Sequence, residues 1–216
     1  MHCAMAFRIL ARPDADMLAA FSDVAERAAV RKTMVSLVLA TDMAMHGTHV
    51  AALESLTSRH SDAAVADTLA KEPDKLELVL QMALHAADIS NPAKPWDVSL
   101  RWTECVLEEF FAQGDEEKAV GLSVTPGFDR SAQPTWKERA KGQAFFLGVL
   151  VKPLFEALGK VPGMEIGDIL ENLDRNLNIW KEVLATGELP APTLGTPAAE
   201  TLAIAPPPPA PSAPDT

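Results

Sequence analysis

Three polar residues spaced three apart, His85, Asp88 and Asn91, end an apolar helical pattern near the middle of the sequence. Apolar residues precede them at i, i+3, i+4, i+7, i+8 and i+11, the period of an amphipathic helix: Leu76, Val79, Leu80, Ala83, Leu84 and Ala87. A carboxylate at the edge of a core is costly unless it faces a cation or hydrogen-bond donors. Asp88 therefore needs a partner, either a cation or hydrogen-bond donors. The alternative is that Asp88 and Asn91 cap backbone groups at the turn, where Pro92 ends the helix.

Two further histidines, His46 and His49, also stand three apart and could form half of a metal site if a helix runs through both. Gly47 separates them, and no cysteine or third histidine is near them in the sequence. We therefore expect both to lie on the surface or behind a site rather than to bind a metal.

Apolar residues recur at helical spacing along most of the chain, which predicts helices over residues 1–10, 17–29, 30–46, 76–88, 98–111, 136–159 and 166–184. Gly114 and Asp115 are expected to end the fifth of these helices, and Pro153 to kink the sixth. Residues 121–136 contain turn formers without a period, so they predict a long loop, which in a compact domain is usually functional or mobile. No strand-like alternation occurs. The sequence predicts an all-α fold of seven or eight helices.

Composition limits the class of protein. At 216 residues and 48% apolar content, the chain can form one domain with a sizeable core. Its formal net charge of −11 argues against nucleic acid or an anionic membrane surface as a partner. Cys3 and Cys105 are too few for a disulfide scaffold and are expected to be reduced core residues of a cytoplasmic protein. No signal peptide or membrane-spanning run is apparent, so we expect no membrane insertion.

The last residues differ in composition from the rest. Residues 191–216 contain eight of the 17 prolines and no lysine, arginine or aromatic residue. Such a segment is expected to be disordered or polyproline II-like. Ligands of proline-reading domains often have flanking basic residues, so a passive tail is favoured. The predicted organisation is a helical domain over residues 1–188 and an Ala/Pro-rich tail over residues 189–216.

Several segments together resemble the C-terminal part of the catalytic domain of class I 3′,5′-cyclic-nucleotide phosphodiesterases. They are HAADISNPAKPW, LRWTECVLEEFFAQGDEEKAVGL, TPGFDR, the earlier RKTMVSLVLATDMAMH, and MHCAMAFRIL at the start. The similarity runs in order from about residue 1 to 185. The Asp88–Asn91 motif, the QGDEEK segment and the Gln143–Phe146 pair make it specific. The resemblance implies a compact multi-helix domain that is truncated at its N-terminus.

The resemblance also implies roles for individual residues. Asp88 matches a ligand of the tightly held metal, and Gln143 matches the glutamine whose amide binds the purine edge. The other matching positions are Phe146, which stacks on the purine, Val106 on its other face, Asn91 at the base end, Met43 in the pocket wall, Thr41 near metal-bound water, and the flexible loop 121–130 over the site. By periodicity alone Phe146 and Val106 could equally be core residues, whereas Asp88 and Gln143 place polar groups on apolar faces.

The implied chemistry is two-metal hydrolysis of a cyclic nucleotide, cAMP or cGMP, to a nucleoside 5′-monophosphate. Zinc and magnesium, or manganese, would bridge a hydroxide and polarise the phosphodiester, while a histidine protonates the departing 3′ oxygen. Upstream regulatory domains or a homodimer are possible further partners. Gln143 does not decide between the two nucleotides, because its amide can serve either after a flip.

The chain departs from the family pattern in its metal ligands. The family's acid histidine and its His and His-Asp ligands belong to motifs that precede the first residue here, and none of the five histidines has such a context: His2, His46, His49, His60 and His85. An apolar first helix without an N-cap residue also suggests missing upstream sequence. One carboxylate will not hold a metal pair, so we expect weak metal binding and little or no turnover. Gly142 and Ala144-Phe145 are further departures beside Gln143.

Two hypotheses remain open. One is an incomplete cyclic-nucleotide phosphodiesterase, and the other is a non-catalytic helical interaction or regulatory module derived from one. Coding sequence upstream of Met1 that contains the histidine motifs would favour the enzyme, whereas a transcript that starts at Met1 would favour the module.

Overall fold

The computed structural model describes residues 1–58 and 61–191, and this part of the chain contains helices and no strand. The α-helices are α1 (His2–Leu10), α2 (Val24–Leu39), α3 (His46–Thr57), α4 (Asp62–Lys71), α5 (Pro73–Asp88), α6 (Trp96–Ala119), α7 (Trp136–Phe145), α8 (Lys152–Leu158) and α9 (Gly167–Thr186). The all-α prediction is confirmed. His60 and residues 192–216 of the predicted tail lie outside the described residues.

Helix α5 lies at the centre of the fold, where it packs against α2, α3, α4 and α8, while α9 packs along α7. The core consists of apolar side chains that these helices turn towards one another, among them Leu53, Val65, Met82, Leu154, Leu173 and Trp180, all inaccessible to solvent. Burying a leucine or methionine side chain contributes about 1.5–3 kcal/mol to the stability of the fold. The central helix therefore holds Asp88, its last residue, at a fixed place.

The N-terminal half differs from the predicted helix boundaries. Helix α2 runs through the expected break at residues 29–30, because no glycine or proline interrupts it there. Residues 17–20 form only a 3₁₀ turn, and α3 and α4 were not predicted at all. Both helices are short, of 12 and 10 residues, and α4 has alanine at four positions, so each offers few large apolar residues for a periodic pattern.

Helix α6 continues to Ala119, so the prediction that Gly114 and Asp115 end it is wrong. After α6, a loop of residues 121–135 contains only a 3₁₀ turn at Arg130–Ala132. Helix α7 then begins at a capping box, in which Thr135 and Glu138 each bond the other's backbone. The predicted loop and the start of this helix are confirmed.

The irregularity predicted near Pro153 is a π-helical segment, Phe146–Val151, that joins α7 to α8. Proline has no backbone N–H, and its ring crowds the preceding turn. A widened turn accommodates both effects without breaking the helix. Leu147 and Val151 of this segment are buried in the core.

The turn between α5 and α6 is held by one side chain from α9. The Nδ2 atom of Asn176 donates to the backbone oxygens of Pro92, at 2.7 Å, and of Lys94, at 2.8 Å. Asn176 is fully buried. These two bonds fix the segment that carries Asn91.

Two other sequence expectations concern exposure and membranes. Both cysteines are free thiols, but Cys105 is exposed and Cys3 is half-buried, so the prediction that they are core residues is wrong for Cys105. Periodicity placed Cys105 on the wrong face of α6. Within the described part of the chain, every helix is too short or too polar to span a membrane.

Candidate functional site

A hollow of about 250 Å³ lies between α6, α7 and the 121–135 loop. It brings together four residues that the sequence analysis selected: Asn91, Val106, Gln143 and Phe146. They come from three separate parts of the chain, namely the turn after α5, the middle of α6 and the end of α7. The walls are mainly apolar, with a few polar groups, which is typical of small-molecule sites.

Gln143 supplies an amide to this hollow and is half-buried. The hydroxyl of the buried Thr103 lies 3.5 Å from Gln143 Oε1, at the outer limit of a hydrogen bond. A hydroxyl can donate or accept, so Thr103 is compatible with either orientation of the amide. The amide can therefore present either its donor or its acceptor to a ligand.

Asp88 borders a second, adjoining hollow of about 200 Å³, together with Lys94 and Trp102. Asn91 and Val106 line both hollows. The carboxylate of Asp88 is exposed and accepts no hydrogen bond from residues 1–58 or 61–191. The backbone N–H of Ile89, and not a side chain, closes the end of α5. The interpretation of Asp88 and Asn91 as caps is therefore wrong.

Metal ligands are scarce around Asp88. In the part of the chain that the structure describes, no three side chains of His, Cys, Asp or Glu are grouped so that they could hold a metal ion. A catalytic zinc takes about three ligands from protein. These residues alone do not fit a zinc or magnesium centre.

His46 and His85 form a buried pair, with His46 Nδ1 at 2.9 Å from His85 Nε2 and the ring planes inclined at 61°. His46 is thus not a surface residue. Burial lowers the pKa of both rings. The pKa of His85 is lowered further by the charges of His46 and His49 and raised by that of Asp88, while a backbone hydrogen bond to Leu150 raises the pKa of His46.

The remaining predicted residues, Thr41 and Met43, line neither hollow. The hydroxyl of Thr41 donates to the backbone oxygen of Val38 at 2.9 Å, a local bond at the end of α2. Met43 is 42% exposed. The structure does not bring these two residues together with Gln143.

Sequence reasoning missed several residues of the first hollow, among them Phe110, Phe128, Gln133 and Arg139. Phe110 and Phe128 stack face to face, with ring centroids 4.3 Å apart and planes inclined at 9°. Phe128 belongs to the 121–130 loop that the resemblance placed over the site, but the sequence analysis did not single it out within that loop. The loop therefore does lie against the site, as expected.

Comparison with known proteins agrees with this architecture. The family model of 3′5′-cyclic nucleotide phosphodiesterases matches residues 1–173. The chain is 35% identical over 176 residues to the probable 3′,5′-cyclic-AMP phosphodiesterase pde-4 of Caenorhabditis elegans, covering 81% of this chain and 25% of that protein. It is 30% identical over 190 residues to isoform F of a 3′,5′-cyclic-AMP phosphodiesterase of Drosophila melanogaster, covering 88% and 28%.

Among solved structures, that of LmjPDEB1 in complex with IBMX superposes with a TM-score of 0.74 at 29% identity, covering 85% of this chain and 52% of that one. The chain thus spans about a quarter of these curated relatives and half of the solved chain. The match over residues 1–173, the helical fold and the level of identity agree, and the chain belongs to the 3′,5′-cyclic-nucleotide phosphodiesterase family.

Proposed function

We propose that this chain carries the base-binding part of a cyclic-nucleotide phosphodiesterase site. The complete domain would hydrolyse cAMP, cGMP or both to nucleoside 5′-monophosphates in cytoplasmic signalling. One observation carries the proposal: Gln143, Phe146, Val106 and Asn91, selected for base binding, line one hollow although they are up to 55 positions apart in the chain. The relatives are 3′,5′-cyclic-AMP phosphodiesterases, and the related solved structure holds IBMX, a xanthine.

Each residue would contribute a different interaction with the base. Phe146, the first residue of the π-helical segment, and Val106, from α6, offer apolar surface to the faces of a flat ring, where stacking is favourable. Gln143 offers an amide donor and acceptor to its edge. Asn91 lies where the two hollows adjoin, so a base in the first hollow would direct its ribose phosphate towards Asp88.

The proposal includes metal dependence of the complete domain, with Asp88 as the ligand that this chain supplies. The other ligands and the acid histidine would come from polypeptide beyond the described residues. No step of hydrolysis is assigned to the chain alone. A non-catalytic regulatory module is the alternative, and a hollow that binds no nucleotide would favour it.

The test is a titration of the 216-residue chain with cAMP, cGMP and IBMX, in which binding is measured by calorimetry and NMR. Gln143→Ala removes hydrogen bonds worth about 1–2 kcal/mol, so it should weaken binding by roughly 5- to 30-fold. Asn178→Ala removes an exposed amide from α9 and should leave binding unchanged. Equal affinities for the wild type and Gln143→Ala, or no binding by the wild type at millimolar ligand, would contradict the proposal.

A further inference from the structure

The QGDEEK segment, residues Gln113–Lys118 at the end of α6, has no part in the function proposed above. In the structure it is the surface on which the 121–135 loop lies, and we call it the docking strip. Its polar side chains bond the loop at several points. Glu117 accepts from the backbone N–H and the hydroxyl of Thr125 at 2.7 and 2.8 Å, Lys118 pairs with Asp129 at 2.7 Å, and Asp115 pairs with Arg130 at 2.8 Å.

These contacts hold the loop along its length. Arg130 also reaches Glu108, one helical turn or more before the strip, at 3.0 Å. The carboxylate of Asp129 accepts hydrogen bonds from Lys118 and Ser131. These bonds, that from Lys118 having the larger effect, lower the pKa of Asp129 to about 2. Within the loop, Gln133 Nε2 donates to the backbone oxygen of Gly127 at 2.7 Å. The loop is thus fixed on α6 and also braced within itself.

Gly114 is the position that permits the closest approach. A Cβ atom at Gly114 would lie 2.1 Å from the backbone oxygen of Phe128 and 2.8 Å from its carbonyl carbon. Glycine weakens a helix interior relative to alanine, so its place inside the 24-residue α6 needs another reason. The reason is that the backbone of the loop at Phe128 occupies the space of the missing side chain.

The contact between the Phe128 backbone and Gly114 determines the position of one wall of the first hollow. With its backbone against Gly114, Phe128 stacks its ring flat on Phe110, and both rings line the hollow that Gln143 and Phe146 also line. A loop displaced from Gly114 would carry Phe128 with it. The aromatic wall on the loop side would then be lost.

We propose that the docking strip is a positioning element of the base site: it seats the 121–135 loop so that Phe128 stacks on Phe110, and thereby sets the affinity for a flat heteroaromatic base. Gly114 provides the space, and Asp115, Glu117 and Lys118 provide the bonds. The identity of the ligand rests on the proposed function, whereas the seating of the loop does not.

The test uses Gly114→Ala in the full 216-residue chain, with two readouts. Hydrogen exchange of residues 124–130 should become at least about tenfold faster as the loop leaves the strip. Binding of IBMX and cAMP should weaken at least about tenfold. Gly47→Ala is the matched control, because Gly47 also lies in a helix and its Cβ would meet nothing within 4 Å. It should change neither readout.

A second variant distinguishes loss of the Phe128 ring from displacement of the loop. It also keeps the proposal testable if Gly114→Ala fails to fold. Phe128→Ala should keep the polar contacts of the loop, so hydrogen exchange of residues 124–130 should stay close to that of the wild type. It should nevertheless weaken base binding as much as Gly114→Ala does. Phe128→Tyr keeps an aromatic ring at this position and should bind the base about as tightly as the wild type. Unchanged exchange in Gly114→Ala would overturn the seating, and faster exchange with unchanged affinity would overturn the positioning role.

The same experiment distinguishes failure of the proposed function. If the wild type binds neither IBMX nor cAMP while Gly114→Ala still exchanges faster, the base-binding function and the affinity claim are both overturned. The seating of the loop on the strip is then supported by the exchange data alone.

Discussion

His46 Nδ1 and His85 Nε2 lie 2.9 Å apart, and this contact joins α3 to α5 one turn before Asp88. Only one of the two facing nitrogens can carry the shared proton in such a bond. Both residues are buried, and burial is the first cause that lowers each pKa from the ordinary 6.5. The folded state therefore favours neutral rings.

This pair predicts that the protein loses stability as the pH falls below about 6.5. The pKa values of His46 and His85 are lowered in the folded chain, so the unfolded chain binds more protons in this range. The contribution of the pair to the free energy of unfolding is fully present above pH 6.5. It is lost as the pH falls through the pKa values of the folded state. Urea unfolding at a series of pH values between 7.5 and 5 measures it.

The double variant His46→Asn with His85→Gln is the control for this prediction. Its amides approximate the two bonded nitrogens and do not titrate. Its free energy of unfolding should vary less with pH than that of the wild type over the same range. An equally steep dependence in both proteins would show that the pair is not the cause.

Asn176→Ala should destabilise the fold by roughly 2–4 kcal/mol, because the carbonyl groups of Pro92 and Lys94 would lose a buried donor. Asn178→Ala, two residues away and exposed, should change the free energy of unfolding by less than about 0.5 kcal/mol. Urea denaturation of both variants checks the difference. Similar values for the two would mean that the turn is held by other contacts.

The 216-residue chain should show no zinc-dependent hydrolysis of cAMP or cGMP, because its described residues offer one carboxylate where a catalytic zinc needs about three protein ligands. Assays of nucleoside 5′-monophosphate with added zinc and magnesium measure this. In a version of the protein that supplies the remaining ligands, Asp88→Ala should abolish turnover without weakening IBMX binding. Clear turnover by the chain alone, or normal activity of that variant, would contradict the assignment.

Local signals in the sequence were sufficient to predict that helices carry Asp88 and Gln143. The apolar stripe of α5 and Pro92 beyond its end predicted a helix over residues 76–88, although α5 begins three residues earlier, at Pro73. The start of α7 at Trp136 was predicted correctly, and the structure shows a capping box there. The same rules failed for α3, where alanine and Gly47 hide the helix. Without α3, nothing in the sequence could indicate that His46 meets His85, 39 positions later.

Contacts between distant segments explain the other errors. A glycine near the end of an apolar pattern usually marks the end of a helix, yet α6 continues through Gly114. The reason lies in Phe128, which approaches from a separate loop. The exposure of Cys105 likewise depends on which face of α6 the neighbouring helices cover. Periodicity within one helix cannot supply either fact.

The π-helical segment Phe146–Val151 has a consequence for the phase between the two halves of the long helix. A π-bulge accommodates roughly one extra residue, so the side chains after it are rotated by about 100° relative to an uninterrupted α-helix. This rotation lets Gln143 point to the ligand side while Leu154 and Leu158 point to the core. The angle between the amide of Gln143 and the core side chains of α8 therefore depends on the π-helical segment between them.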